Sequence, residues 1–252
     1  MADVIDYTLH GDDMQLVEIT LDPGEGVRAE TGAMCYMEAD IEMQTSTGGG
    51  VFEGFKRMLT GEGFFITTFL NRGSMRRGVG FAAPYPGRII PAELAEYGGS
   101  LLCQKDAFLC AAAGIEIDIA FTKRFGAGLF GGEGFILQRL SGDGLAFVHA
   151  GGAVIRRTLG PGEHLRVDTG CLVAFTEQVD YDIQFIGGFR NALFGGEGLF
   201  FASLRGPGEV WLQSLPFSRL ADRVAQASGF RGAAKGEVRR GGGLLDNFIG
   251  GK

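Results

Sequence analysis

The sequence predicts an all-β protein built of three tandem repeats, followed by a short C-terminal helix and a tail. Three observations predict it. Glycine is abundant, 44 residues of 252, yet the chain also carries 21 phenylalanines and 45% hydrophobic residues, so it is not a low-complexity chain. Apolar runs are short and helical periodicity is scarce, which is the pattern of short strands joined by tight turns. A phrase centred on Gly-Glu-Gly recurs in 55–65, 125–136 and 189–200, placing Glu62, Glu133 and Glu197 at intervals of 71 and 64 residues. Self-similarity at a long, nearly constant interval means that one supersecondary unit is reused.

Each copy of the phrase has the same internal order. Apolar residues at near-helical spacing (Phe52, Phe55 and Leu59; Phe121, Phe125 and Leu129; Ile186, Phe189 and Leu193) lead into glycines, the glutamate and an apolar pair. The expectation is a short amphipathic turn running into a strand, with glycines supplying positive φ or close backbone approach at the strand start. Gly126, Gly128 and Gly131 have GxGxxG spacing. A dinucleotide loop needs a helix after it to receive the pyrophosphate, and 135–140 read as a strand instead.

Taken in order, Met14 to Leu21 alternates as a half-buried strand does. A second phrase follows: LDPGEGVRAETG (21–32) returns as LGPGEHLRVDTG (159–170) and more faintly as IIPAELAEYGG (89–99). Pro23, Pro91 and Pro161 align, and each phrase reads as a turn before a strand. The paired charges Arg28 and Glu30, and Arg166 and Asp168, read as the solvated face of a strand beside a turn. The order of phrases divides the chain into repeats at 14–81, 86–150 and 151–215, and then 216–252. Phe217, Leu220, Val224 and Ala227 fall at helical spacing with Ser218 as N-cap, and a glycine-rich basic tail follows.

Composition excludes several function classes. Net charge is −7 and the isoelectric point about 5.1, so general nucleic-acid binding is not expected, although residues 205–252 carry eight basic against four acidic side chains. The four cysteines lack CxxC spacing; Cys35, Cys103 and Cys171 sit in apolar segments and read as small core hydrophobes, which points to a reducing compartment. Three scattered histidines do not make a metal site. The N-terminus is acidic and no apolar run approaches the ~20 residues a membrane span needs, so a cytoplasmic location, with peripheral attachment to a membrane as the variant, is expected.

The three Gly-Glu-Gly phrases, the PGE turns with their Thr31-Gly32 and Thr169-Gly170 partners, and IGGFRNALFGGEG resemble the family of altered-inheritance-of-mitochondria protein twenty-four over 14–215. The acidic start is similar to its prokaryotic members. The resemblance implies three tandem β-sandwich-like repeats, each similar to the unit of the tryptophan RNA-binding attenuation protein, arranged with pseudo-threefold symmetry. It also implies a homotrimer with nine units in a ring, and carries no catalytic residue set.

The expected function is therefore a non-enzymatic oligomeric scaffold, acting at a membrane or within a larger complex, with no catalytic residue, cofactor or metal. A small-ligand or nucleic-acid binding ring module is the alternative, and an enzyme with a site between repeats a third. A partner or membrane surface is expected where basic and aromatic side chains adjoin in the amphipathic turns: Phe52, Phe55, Lys56 and Arg57; Lys123, Arg124 and Phe125; Phe189 and Arg190. Glu62, Glu133 and Glu197 read as structural, accepting backbone N–H groups in their glycine turns or pairing with a nearby Lys or Arg.

Overall fold

A computed structural model describes residues 1–46, 66–123, 135–185 and 200–228. The chain divides into two units, 1–217 and 218–252. The first is built of antiparallel strands: β1 (Asp6–His10), β2 (Leu16–Leu21), β3 (Gly26–Glu30), β4 (Met34–Met37), β5 (Ile41–Ser46), β6 (Ile66–Asn71) and β7 (Arg77–Ala82). Then come β8 (Gly87–Glu93), β9 (Ser100–Gln104), β10 (Phe108–Ala112), β11 (Glu116–Lys123), β12 (Phe135–Ser141) and β13 (Leu145–Gly151). The last are β14 (Val154–Leu159), β15 (His164–Asp168), β16 (Leu172–Thr176), β17 (Asp180–Phe185), β18 (Phe200–Arg205) and β19 (Gly208–Gln213). The all-β expectation is met.

Four pairings recur with every strand number raised by six. In the first set β2 and β4 flank β7, while β3 and β5 flank β6. In the second β8 and β10 flank β13, while β9 and β11 flank β12. In the third β14 and β16 flank β19, while β15 and β17 flank β18. Two joints link the sets: β3 pairs with β10, and β9 pairs with β16. The sheets therefore run β1-β2-β7-β4, β5-β6-β3-β10-β13-β8, β11-β12-β9-β16-β19-β14 and β15-β18-β17.

Local chemistry explains the turns. At 22–25 the Asp22 carbonyl accepts from Glu25 N at 3.0 Å, with Pro23 fixing φ and Gly24 at +89°, a type II turn. Gly160 to Glu163 repeats it, with Gly162 at +78°. In both, the glutamate side chain accepts the backbone N–H of the turn's first residue, at 2.8 Å for Glu25 and 3.0 Å for Glu163. Pro91 corrects the sequence expectation: it lies inside β8, opposite Phe147, and the turn before β9 is made by a 3-10 segment, Leu94–Tyr97. Because β8 is the last strand of its sheet, the missing proline N–H leaves no ladder bond unmade.

Alternation fixes the cores. In β2, Val17, Ile19 and Leu21 point inward while Leu16, Glu18 and Thr20 are only partly covered. One apolar cluster joins residues of β2, β3, β7, β10 and β13, with Phe81, Phe108 and Phe147 fully buried; a second joins β12, β16, β17, β18 and β19 around Phe135 and Phe175. Each such ring contributes about 1.5–3 kcal/mol by leaving water. The strand β1 was not expected from the sequence; its residues are mostly exposed, and it is held by its register on β2.

One α-helix is described, α1 (Phe217–Ala227), which begins at the last residue of the first unit and otherwise belongs to the second. It lies where the apolar spacing placed it, but Ser218 is inside its first turn and is not its N-cap. None of its residues is buried. Among the described residues no helix is long and apolar enough to cross a membrane.

Candidate functional site

Most of the surface expected from the sequence lies outside the described residues: Phe52, Phe55, Lys56, Arg57, Arg124, Phe125, Phe189 and Arg190, together with Glu62, Glu133 and Glu197. Lys123 is the last residue of β11, opposite Phe135 of β12. Strand β6 begins directly after the first phrase, and β12 and β18 begin within the last two residues of the second and third.

Within the described residues, polar chemistry gathers at the joints. Where β3 meets β10, Ala29 lies opposite Cys110, Arg28 opposite Ala111 and Val27 opposite Ala112. Arg28 Nη1 donates to the backbone oxygen of Ile115 at 2.8 Å, reaching across the joint into the next set. Glu30 ends β3 half-buried. Burial, then the negative charge of Asp106, raises its carboxyl to about 7 against an opposing pull from Lys105. Arg28 and Glu30 are thus working parts of a joint, which corrects the expectation of a solvated strand face.

Around Glu30 the same burial acts on other groups. Tyr85 is pushed up to about 12, by burial and then by Asp106 and Glu30. The Cys103 thiol is raised by burial and by Glu30, so it is no thiolate nucleophile. Its Sγ lies 3.9 Å from Gln138 Oε1, while Gln138 Nε2 is buried without a partner among the described residues. His149 packs edge-on against Tyr85, with centroids 4.6 Å apart; its Nδ1 has no partner among the described residues, and burial lowers the ring to about 4. The cluster holds a proton near neutrality, but among the described residues no three His, Cys, Asp or Glu side chains stand together as metal ligands. The signal that could have found it is the Arg and Glu of the VRAETG phrase, read as surface charge because Lys105 and Asp106, which act on Glu30, lie some seventy-five positions away.

Among the described residues, two strands lack the partner that their counterparts have. The β4–β7, β10–β13 and β16–β19 pairings share one bulge, which matches Tyr36 with Cys110 and Ala174, and Met37 with Ala111 and Phe175. In β10 and β16 every residue is buried. In β4, by contrast, Tyr36 is 42% and Met37 40% exposed, and Cys35 is exposed too. The core expectation holds for Cys103, which is buried, and is corrected for Cys35, whose edge no described strand covers; Cys171 is half-buried. At the other end, β15 pairs among the described residues only with β18, which leaves its second edge open there.

An antiparallel β body joined through strand edges, with no transmembrane helix among its described residues, defines the class. Residues 7–215 match the family described as Mitochondrial biogenesis AIM24, and the chain belongs to that family. It is 30% identical over 214 residues to an uncharacterized protein of Streptococcus pyogenes serotype M6, covering 82% of this chain and 84% of the relative. Its fold is similar to the crystal structure of another Streptococcus pyogenes protein, with a TM-score of 0.73 and 27% identity over 88% of this chain and 99% of that one.

Proposed function

We propose that the protein is a self-assembling scaffold: a tandem of three like units that joins edge to edge with further copies into a homotrimeric ring. One observation carries the reading, the exposure of β4 where β10 and β16 are wholly buried. An open apolar edge strand is a liability that monomeric proteins blunt with charge, proline or a cover, and β4 reads Met-Cys-Tyr-Met. A chain that ends in one open edge of each kind associates head to tail, and such a contact closes into a ring or grows into a filament. The charges at matched positions support an architectural role, since Glu25 and Glu163 close turns and Arg28 bridges a joint.

Light scattering at micromolar concentration tests this. A mass three times the 26.8 kDa of one chain is expected. A monomer mass would overturn the reading.

A further inference from the structure

The inference rests on the scaffold reading and names the contact that joins the copies. In the joint of β3 with β10, Arg28 donates to the carbonyl of Ile115. Its counterpart in the third set is Arg166, the third residue of β15, as Arg28 is of β3. The surrounding phrases agree as well, VRAETG against LRVDTG. Arg166 is exposed, and its side chain makes no hydrogen bond or ion pair among the described residues. One arginine spans a joint. The other reaches out from an open edge.

The acceptor has a counterpart too. Ile115 N donates to Ala112 O at 3.2 Å, Val179 N to Thr176 O at 3.0 Å and Ile41 N to Glu38 O at 3.4 Å, each in the turn that leads out of β10, β16 or β4. All three apolar residues are buried. Ile41 therefore stands to the open edge of β4 as Ile115 stands to β10. The middle joint uses an apolar variant of the same geometry, with Leu102 opposite Phe175.

The registers agree as well. Ala29, Arg28 and Val27 face Cys110, Ala111 and Ala112, and Cys103, Leu102 and Leu101 face Ala174, Phe175 and Thr176. Carried through the shared bulge, both give one answer for β15 against β4. We infer that β15 pairs antiparallel with β4 of a second copy, Val167 opposite Tyr36, Arg166 opposite Met37 and Leu165 opposite Glu38, with the Arg166 guanidinium donating to the backbone oxygen of Ile41 in that copy. Charge agrees with the fit: the β15 edge brings Arg166 towards exposed Glu38 and Asp40. Opposed residues on antiparallel strands stand about 4.5–5.5 Å apart at Cα, inside the range a disulfide spans.

Two measurements on the full chain test this. Arg166→Ala is expected to weaken self-association at least tenfold in sedimentation while the thermal unfolding of the monomer stays put, with Arg166→Lys retaining part of the affinity. In a Cys35→Ser, Cys171→Ser background, Val167→Cys combined with Tyr36→Cys is expected to give chains linked by disulfides under mild oxidation. Val167→Cys with Met37→Cys is not, because a one-residue step turns a side chain to the opposite face. A monomeric wild type would sink the scaffold reading and this joint together. An oligomeric wild type that shows no disulfide at the first pair overturns the register, and one indifferent to Arg166→Ala overturns the anchor, while in both the scaffold stands.

Discussion

The negative charge of Asp106 reaches the half-buried carboxyl of Glu30 across the joint of β3 with β10, adding to the burial that raises it to about 7. The raised value couples folding to pH. Glu30 holds a proton in the fold that an unfolded carboxyl, near 4.5, has released, so its contribution is fully present below pH 4.5 and is lost as pH rises through 7. The difference is worth up to about 3 kcal/mol. Glu30→Gln keeps the neutral form at every pH, and urea unfolding at pH 8 is expected to show the variant more stable than wild type by roughly 2–3 kcal/mol, with the gap closing below pH 5. An equal gap at both pH values would contradict the assignment.

His149 acts with the opposite sign. Its ring is lowered from 6.5 to about 4, so the unfolded chain binds the proton that the fold refuses, and stability falls as pH drops from 6.5 towards 4. The two windows overlap and the slopes offset. Wild type is therefore expected to be nearly flat between pH 4.5 and 6.5, Glu30→Gln to gain stability as pH rises there, and His149→Leu to lose it. Unfolding midpoints across that range, with slopes of the same sign in both variants, would refute the pairing of these two groups.

The strand class and the tight turns were legible because they rest on local chemistry. Proline at the second position and glycine at the third of 22–25 and 160–163 dictate a type II turn whatever surrounds it. Helix α1 was legible for the same reason, through its apolar spacing. What escaped was tertiary. Pro91 matched Pro23 by letters, yet its place follows from the pairing of β8 with β13, and nothing near Glu30 in the chain reveals that it will be half-buried close to Asp106 and Lys105. The phrase residues from Phe52 to Arg190 were chosen for composition, and their setting lies outside the described residues. Cys35 was read as core because its neighbours are apolar, but an apolar edge strand is buried only when another strand lies against it.

Gly87 should not tolerate a side chain. It faces Gly151 in the β8–β13 ladder, and a Cβ there would collide with the backbone oxygen of Ala150 and stand 2.5 Å from His149 Nε2. Backbone cannot rotate away as a flexible side chain can. Gly87→Ala is expected to cost about 2–3 kcal/mol, seen as a lower urea midpoint at unchanged slope. Gly24→Ala would probe a different cause, because its Cβ meets nothing within 4 Å and only its φ of +89° opposes substitution. If Gly87→Ala unfolds at the wild-type midpoint, the close approach of Ala150 is not real.

The last prediction concerns Met37, which is exposed on β4 although Ala111 and Phe175 at the matching positions of β10 and β16 are fully buried. In a single chain, Met37→Lys places an ammonium in water at a site 40% exposed, and unfolding should change by less than about 0.5 kcal/mol. In an assembled ring the same ammonium would be enclosed between strands, as Ala111 and Phe175 are, and an unpaired charge taken out of water costs several kcal/mol. The substitution therefore separates folding from assembly. Light scattering is expected to find the variant monomeric at concentrations where wild type is oligomeric, with the far-ultraviolet circular dichroism of a folded β protein. A variant that assembles as readily as wild type would show that β4 stays open to solvent in the assembly, and that copies meet elsewhere.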